Sequence, residues 1–281
     1  MPLDQYESGA RTVADFLEKE RSLFFPNLRL LDANDIFLAS FPRSGNDWVR
    51  TMLADVLEQL AGMKTGPRLP VDISVVTPGI YSDDIAESYK YRPHLLAGVG
   101  PAYLIVKTHH LVRAPDNKVI LLYRRPADVF VSYYHFRSTF GHRWTKDGPD
   151  HFAEQILPAW TGYMRHFVDR AAAAPDRMVV LGYEDFHARP VQSLARIAEF
   201  AGLAPPDAVL QRAVANHAFD NRRAVEDEYR RTQLPPGATL PELARRGEIG
   251  EGARTFSPDM LARIEAETGE LYRAAGELAR R

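Results

Sequence analysis

The chain has 281 residues, 45% of them hydrophobic and 26% charged, with a formal net charge of −2. That length can bury a sizeable core, and the composition is that of a folded globular protein rather than a disordered one. The small net charge gives no global attraction to a polyanion, so no nucleic-acid partner is expected. Cysteine is absent, which excludes disulfides, thiolate nucleophiles and thiolate metal sites and leaves any catalysis to oxygen, nitrogen and backbone groups. The start Met1-Pro2-Leu3-Asp4-Gln5 lacks the basic and apolar regions of a signal peptide, and no stretch approaches the roughly 18 consecutive apolar residues of a membrane span. The expected location is the cytoplasm.

In chain order, short apolar runs occur at 35–40, 103–107, 118–123 and 177–181. Their continuous rather than alternating apolarity suits strands covered on both faces. After the first, Trp48, Val49, Met52, Leu53, Val56, Leu57 and Leu60 fall on one face at helical spacing. Further helices are expected at about 126–138, 150–170, 190–201, 205–216 and 258–278. Strands alternating with helices predict one α/β domain over residues 1–281, with a central parallel sheet flanked by helices. The segments 61–102 and 220–255, rich in Pro, Gly and charge, read as long irregular loops of the kind that cover binding sites.

Between the first strand and its helix lies Phe41-Pro42-Arg43-Ser44-Gly45-Asn46-Asp47-Trp48. A tight turn into a helix N-terminus gathers backbone N–H groups and the positive end of the helix dipole, which suits an anion. Gly45 allows close backbone approach, Arg43 adds a permanent charge, and Ser44 and Asn46 add small polar groups. The same residues would also serve as a plain helix start capped by Ser44 or Asp47. The Gly-Lys-Ser/Thr ending of a nucleoside-triphosphatase phosphate loop is missing, which counts against a magnesium-dependent kinase.

Downstream, Leu122-Tyr123-Arg124-Arg125-Pro126 leads into a helix that carries Ser132. This segment resembles the 3′-phosphate-binding segment of the sulfotransferases that use 3′-phosphoadenosine 5′-phosphosulfate (PAPS), and other segments match that family in order. The Arg43 turn resembles its 5′-phosphosulfate loop, and Lys107-Thr108-His109 resembles the segment bearing its catalytic histidine. Tyr183-Glu184-Asp185 resembles the strand end near the adenine, Asn216-His217-Ala218-Phe219 a further nucleotide-contact turn, and Arg245-Arg246-Gly247 the basic element of the loop closing over the 3′-phosphate. The matches cover about 35–256 and imply a sulfotransferase fold related to the P-loop kinases.

The resemblance implies PAPS as donor, adenosine 3′,5′-bisphosphate (PAP) as product and no metal. It casts His109 as general base, with Arg43 and Lys107 stabilising the leaving group. Donor binding would fall to Arg43, Ser44, Gly45, Asn46, Asp47, Trp48, Arg124, Ser132, Tyr183, Phe219, Arg245, Arg246 and Gly247. His110 is the competing base, while His94, His142 and His166 read as surface or loop residues. The acceptor, a small molecule or glycan bearing a hydroxyl or amine, would meet Tyr81, Tyr89, Tyr91, the segment Phe140-Gly141-His142-Arg143-Trp144 and residues 228–244.

The chain departs from the family pattern at several places. Arg43 stands where cytosolic animal members have lysine, although arginine occurs there in bacterial relatives. Asn46 and Asp47 replace threonines, and the Asp47 carboxylate would have to cap the helix or pair with a cation such as Arg43. Gly252 stands at the position of a tryptophan, and Ser257-Pro258 where the family's dimer motif would fall. No oligomeric state follows. A magnesium-dependent kinase or nucleotide hydrolase, and a nucleotide-binding relative without turnover, are the competing readings.

Overall fold

Each of the four apolar runs forms a strand: β1 (Ile36–Ser40), β2 (Ile105–Thr108), β3 (Lys118–Tyr123) and β4 (Met178–Gly182). The computed structural model describes residues 27, 29–80, 84–95, 103–112, 116–235, 237, 240 and 242–281. Along the chain the first helices are α1 (Asn46–Leu60), α2 (Asp84–Leu95), α3 (Pro126–Ser138), α4 (Gly148–Ala173) and α5 (Tyr183–Ala188). They are followed by α6 (Pro190–Phe200), α7 (Asp207–Asn216), α8 (Phe219–Thr232), α9 (Gly252–Thr255) and α10 (Pro258–Ala279). No helix among the described residues is long and apolar enough to cross a membrane.

The strands are all parallel, in the order β2-β1-β3-β4. Successive side chains leave a strand on opposite faces, and here both faces are covered. Phe37, Ala39, Val119 and Leu121 enter a core shared with residues of α3, α4 and α10. Ile36, Leu38, Ile120 and Leu122 enter another with residues of α1, α6 and α7. Continuous apolar strands are the sequence signature of that three-layer packing.

From β1 the chain crosses to β2 on one side; from β3 it moves to β4 on the other. The connections therefore part company between the carboxyl ends of β1 and β3, the crevice in which open α/β sheets bind ligands. Ser40, Thr108, Tyr123 and Gly182 end their strands along this one edge.

The two segments expected to be irregular are partly helical. Residues 61–102 contain a short 3₁₀ turn, Pro70–Ile73, and α2; residues 220–255 contain most of α8 and all of α9. In α8 only Glu226 is buried, so no apolar stripe announces the helix. Charge pairs one turn apart support it instead: Glu226 with Arg230, Asp227 with Arg230 and Glu228 with Arg231.

The two departures beyond position 250 have local causes. An added Cβ on Gly252 would lie 2.4 Å from the Ala127 backbone carbon, so no side chain fits where α9 meets α3. Asp128 at the start of α3 accepts from the amides of Gly250 and Gly252, both at 2.8 Å, and fixes that approach. The Ser257 hydroxyl accepts from Met260 N at 3.2 Å, with Pro258 as the first residue of α10. This pair serves as a helix N-terminus.

A buried polar cluster joins α1 to α7. Asp55 and His217 are wholly buried and 3.2 Å apart, and the Asp55 carboxylate accepts from Gln59 at 2.6 Å and Asn216 at 2.8 Å. Burial alone would raise the Asp55 pKa, but the bonds from His217, Asn216, Thr65 and Gln59 outweigh it and bring it to about 2. Removing the carboxylate strands several buried donors, so Asp55→Ala should destabilise the fold by about 3 kcal/mol, read from urea unfolding. Because the folded-state pKa is depressed, this contribution is complete above the unfolded value near 3.9 and fades as pH falls through about 2. The wild-type advantage over the variant should therefore shrink in acid. A constant difference between pH 7 and the acid limit of folding would contradict this role.

Candidate active site

The turn after β1 is shaped by two left-handed residues, Arg43 at φ 70° and Gly45 at φ 93°. Glycine adopts this conformation freely, whereas arginine does so at a cost of order 1–3 kcal/mol. Gly45 has a second constraint, since an added Cβ would lie 2.7 Å from the Tyr183 ring. The turn delivers α1 with Asn46, Asp47 and Trp48 in its first turn, where backbone N–H groups have no intrahelical acceptor. Asn46 Nδ2 donates back to Leu38 O at 3.0 Å and Ser40 Oγ at 3.1 Å, tying the helix start to β1.

This helix start forms one wall of a cavity of about 550 Å³. Of the residues expected to bind donor or act in catalysis, only Ser44 is missing from its walls. Ser44 is buried, and its amide closes the turn on Phe41 O at 3.3 Å. Trp48 lines the cavity but is held by its indole N–H donating to His217 O at 2.9 Å and by ring contacts with Tyr183 and His187.

Arg43 reaches across the cavity. Its Nε donates to Ser132 Oγ at 3.2 Å, Nη2 to the carbonyls of Glu242 and Leu243 at 3.3 and 3.4 Å, and its guanidinium lies 5.0 Å from the Phe136 ring centre. Burial first, then the charges of Arg124 and Arg222, lower its pKa to about 10, with Asp47 opposing them; it stays protonated at neutral pH. Arg124, at the end of β3, donates to Arg43 O at 3.2 Å and Glu248 O at 3.0 Å, and stacks 4.1 Å from the Tyr183 ring centre. The structure thus joins Arg43, Arg124 and Ser132 directly.

His109 follows β2. Its Nδ1 lies 2.8 Å from Ser40 O. A carbonyl oxygen only accepts, so Nδ1 carries the proton and Nε2 the lone pair. Burial, then the Lys107 charge, push the imidazole pKa down to about 3, which keeps it neutral at physiological pH. His110 is buried outside the cavity.

Asp47 neither caps α1 nor pairs with Arg43. It binds Lys107 Nζ at 2.9 Å. Burial alone would raise its pKa, but Lys107 and Arg50 overcome this and hold the carboxylate well below the ordinary range. Lys107, expected at the leaving group, is thereby shared with an anion of the protein itself.

The closing loop is held by two buried carboxylates that the sequence pattern does not reveal. Glu226 on α8 accepts from the amides of Leu243 at 3.2 Å and Ala244 at 2.8 Å, and Glu251 pairs with Arg245 and with Arg246, the latter at 3.3 Å. Gly247 is left-handed at φ 66°, and an added Cβ would lie 2.8 Å from Phe219. Arg50, Arg137 and Arg222 also line the cavity. No motif marked them, although Arg50 falls one turn after Asn46 on α1 and Arg222 one turn after Phe219 on α8.

The expected acceptor walls fare less well. Tyr89 hydrogen-bonds Asp35 at the far, amino end of β1, so it does not serve the cavity. Tyr81 and the side chain of Tyr91 lie outside the described residues, as does that of His94. The segment 140–144 does not reach the cavity, because Trp144 and His142 stack on each other at 4.3 Å and Phe140 packs on Phe136. His166 holds Val112 O at 3.0 Å. From 228–244, Leu243 and Ala244 contribute. The remaining walls of the cavity include instead Pro70, Ser74, Gly79, Tyr133, Phe136 and the two arginines Arg50 and Arg137. Among the described residues, no group of three or more His, Asp or Glu is placed to hold a metal ion.

Known sulfotransferases resemble this chain over most of its length. Flavonol 3-sulfotransferase from Flaveria bidentis is 25% identical over 263 residues, covering 86% of this chain and 83% of that protein. Sulfotransferase 6B1 from Mus musculus is 25% identical over 246 residues, covering 82% and 75%, and cytosolic sulfotransferase 17 from Arabidopsis thaliana is 24% identical over 273 residues, covering 88% and 76%. Among solved structures, a mouse sulfotransferase complexed with PAP superposes with a TM-score of 0.62 at 19% identity, over 92% of both chains. Retinol dehydratase in complex with androsterone and inactive cofactor PAP gives 0.58 at 23% identity, over 88% of this chain and 85% of that one. The sulfotransferase domain model matches residues 33–276, and the chain belongs to the sulfotransferase family.

Proposed function

We propose that this chain transfers the sulfuryl group of PAPS to a hydroxyl or amine of a small acceptor, releasing PAP, and that it works as one domain without a metal ion. The observation that carries the reading is the meeting, in one cavity, of an anion-binding helix start, the linked Arg43–Ser132–Arg124 group and a neutral histidine with its proton fixed on Nδ1. The cavity's volume of about 550 Å³ lies within the roughly 300–1,000 Å³ of ligand pockets. Gly45, with no room for a Cβ beside Tyr183, keeps the turn backbone open to a close ligand.

Bound PAPS would supply the sulfuryl group and a phosphate leaving group. Arg124, Ser132, Arg245 and Arg246 are the residues to hold its 3′-phosphate, and Tyr183, Trp48 and Phe219 supply rings around the base. The guanidinium groups of Arg43 and Arg124 now donate to neutral carbonyls. Phosphate oxygens are stronger acceptors, which favours exchange when donor enters. Arg43 and the α1 N-terminus face the 5′ side, where charge grows on the leaving oxygen; an arginine that keeps its proton acts there as an electrostatic clamp. Nε2 of His109 accepts the acceptor's proton as its oxygen attacks sulfur.

Tyr133 and Phe136 give the acceptor side two aromatic walls, and the relationship to a flavonol sulfotransferase makes phenols the first class to screen, before alcohols and glycans. A cytoplasmic setting belongs to the same proposal. It is supported by the cysteine-free sequence and by a relative named as cytosolic.

Calorimetry with PAP, followed by an acceptor screen with sulfur-labelled PAPS, tests the reading. PAP should bind, and binding of nucleoside triphosphate with magnesium in its place would overturn the proposal in favour of a kinase. His109→Ala should lower kcat by about a hundredfold or more with PAP affinity largely kept; full turnover would remove His109 as base. Arg124→Ala should weaken PAP about tenfold or more, and unchanged affinity would exclude it from the donor site. Transfer should also persist in a chelator, whereas loss of activity restored by magnesium would contradict the metal-free mechanism.

A further inference from the structure

Arg222 is absent from every segment that resembles the family's donor site, yet it lines the same cavity. It stands on α8 three residues after Phe219, so the two side chains share a helix face. Its amide continues the helix to Ala218 O at 3.0 Å, but among the described residues its half-buried guanidinium makes no hydrogen bond or ion pair. Five N–H donors on a planar fork are thus presented to the cavity without an acceptor. The other cavity-lining arginines of the donor side are engaged: Arg43 with Ser132, Arg124 with main-chain carbonyls, Arg245 and Arg246 with Glu251.

Arg222 lies within electrostatic reach of the turn after β1. Its electrostatic neighbours are Asp47 and Glu226, with the Tyr183 hydroxyl, and its own charge is felt by Arg43. Asp47 and Arg43 both belong to the turn after β1. That turn carries a carboxylate which subtracts from its affinity for an anion and ties up Lys107. A cation reaching in from α8 restores the balance.

Resting on the PAPS reading, we propose that Arg222 is a donor-binding residue that reaches the 5′-phosphosulfate from α8, opposite the N-terminus of α1. Its fork can engage two oxygens of a phosphate or sulfate at once, and burial between α8 and the turn strengthens such a contact.

Two nucleotides separate a 5′ contact from a structural role: PAP, and adenosine 3′-monophosphate, which lacks the 5′ group. Calorimetry on full-length Arg222→Gln should show PAP binding weakened about tenfold or more, with adenosine 3′-monophosphate bound as well as by the wild type. Arg222→Lys, which keeps the charge and loses the fork, should fall between the two for PAP. Equal loss for both nucleotides, or no loss for PAP, would overturn the assignment while leaving the PAPS reading intact. Failure of the wild-type protein to bind either nucleotide would overturn both.

Discussion

β1 and β3 lie side by side in parallel, with Ser40 opposite Leu122, and this register sets the whole site. The residues leaving the two strands are then neighbours: Arg124 reaches Arg43 O at 3.2 Å, and Arg43 reaches Ser132 on the helix after β3 at the same distance. A slip of one residue would turn each strand's side chains to the opposite core and separate these partners. Because both cores are fully committed, Phe37 and Ala39 to one and Ile36 and Leu38 to the other, slippage costs buried area on both faces. The sheet can therefore hold Arg43 in a left-handed conformation that an isolated turn would avoid.

The same convergence gathers cations. Arg43, Lys107, Arg124, Arg222, Arg245 and Arg246 share one cavity, and the pKa of Arg43 is lowered first by burial and then by the charges of Arg124 and Arg222. Three carboxylates offset part of it: Asp47 at Lys107, Glu251 at Arg245 and Arg246, and Glu226 behind the closing loop. The closing loop is itself bound through these groups, with its amides on Glu226 and its basic side chains on Glu251. Positive charge remains in excess, so an incoming polyanion relieves repulsion as well as forming new bonds.

The strands and most core helices were legible in the sequence because their apolar patterns report directly which faces are buried. The motif order also picked out Arg124, Ser132 and His109, which line one cavity. What escaped has a common cause. α8 is held by pairs such as Glu228–Arg231 and has no apolar stripe, so periodicity could not find it, and with it went Arg222 and Glu226. Asp128 receives the amides of Gly250 and Gly252 from a distant segment, and Glu251 receives Arg245 and Arg246 across a bend in the loop, roles that no motif marks. Tyr89 and the segment 140–144 were assigned to the acceptor side by their position in the family pattern. Their actual partners, Asp35 for Tyr89 and His142 for Trp144, are set by packing that no spacing encodes.

Asp47 is a departure from the family pattern, and the structure changes what that difference means. A carboxylate beside an anion site is unfavourable when its charge is unmatched. Here it is matched by Lys107 at 2.9 Å, with both side chains only partly exposed, at 25% and 18%. An ammonium has three N–H donors and Asp47 takes one, so Lys107 keeps donors for a ligand while losing most of its net charge to the pair. On the proposed reading, electrostatic stabilisation at the 5′ side then falls to groups that Asp47 does not hydrogen-bond: the α1 N-terminus, Arg43 and Arg222 on α8. The carboxylate in the turn and the additional arginine on α8 thus form one compensated arrangement, in which charge removed from the strand side of the cavity is supplied from the helix side.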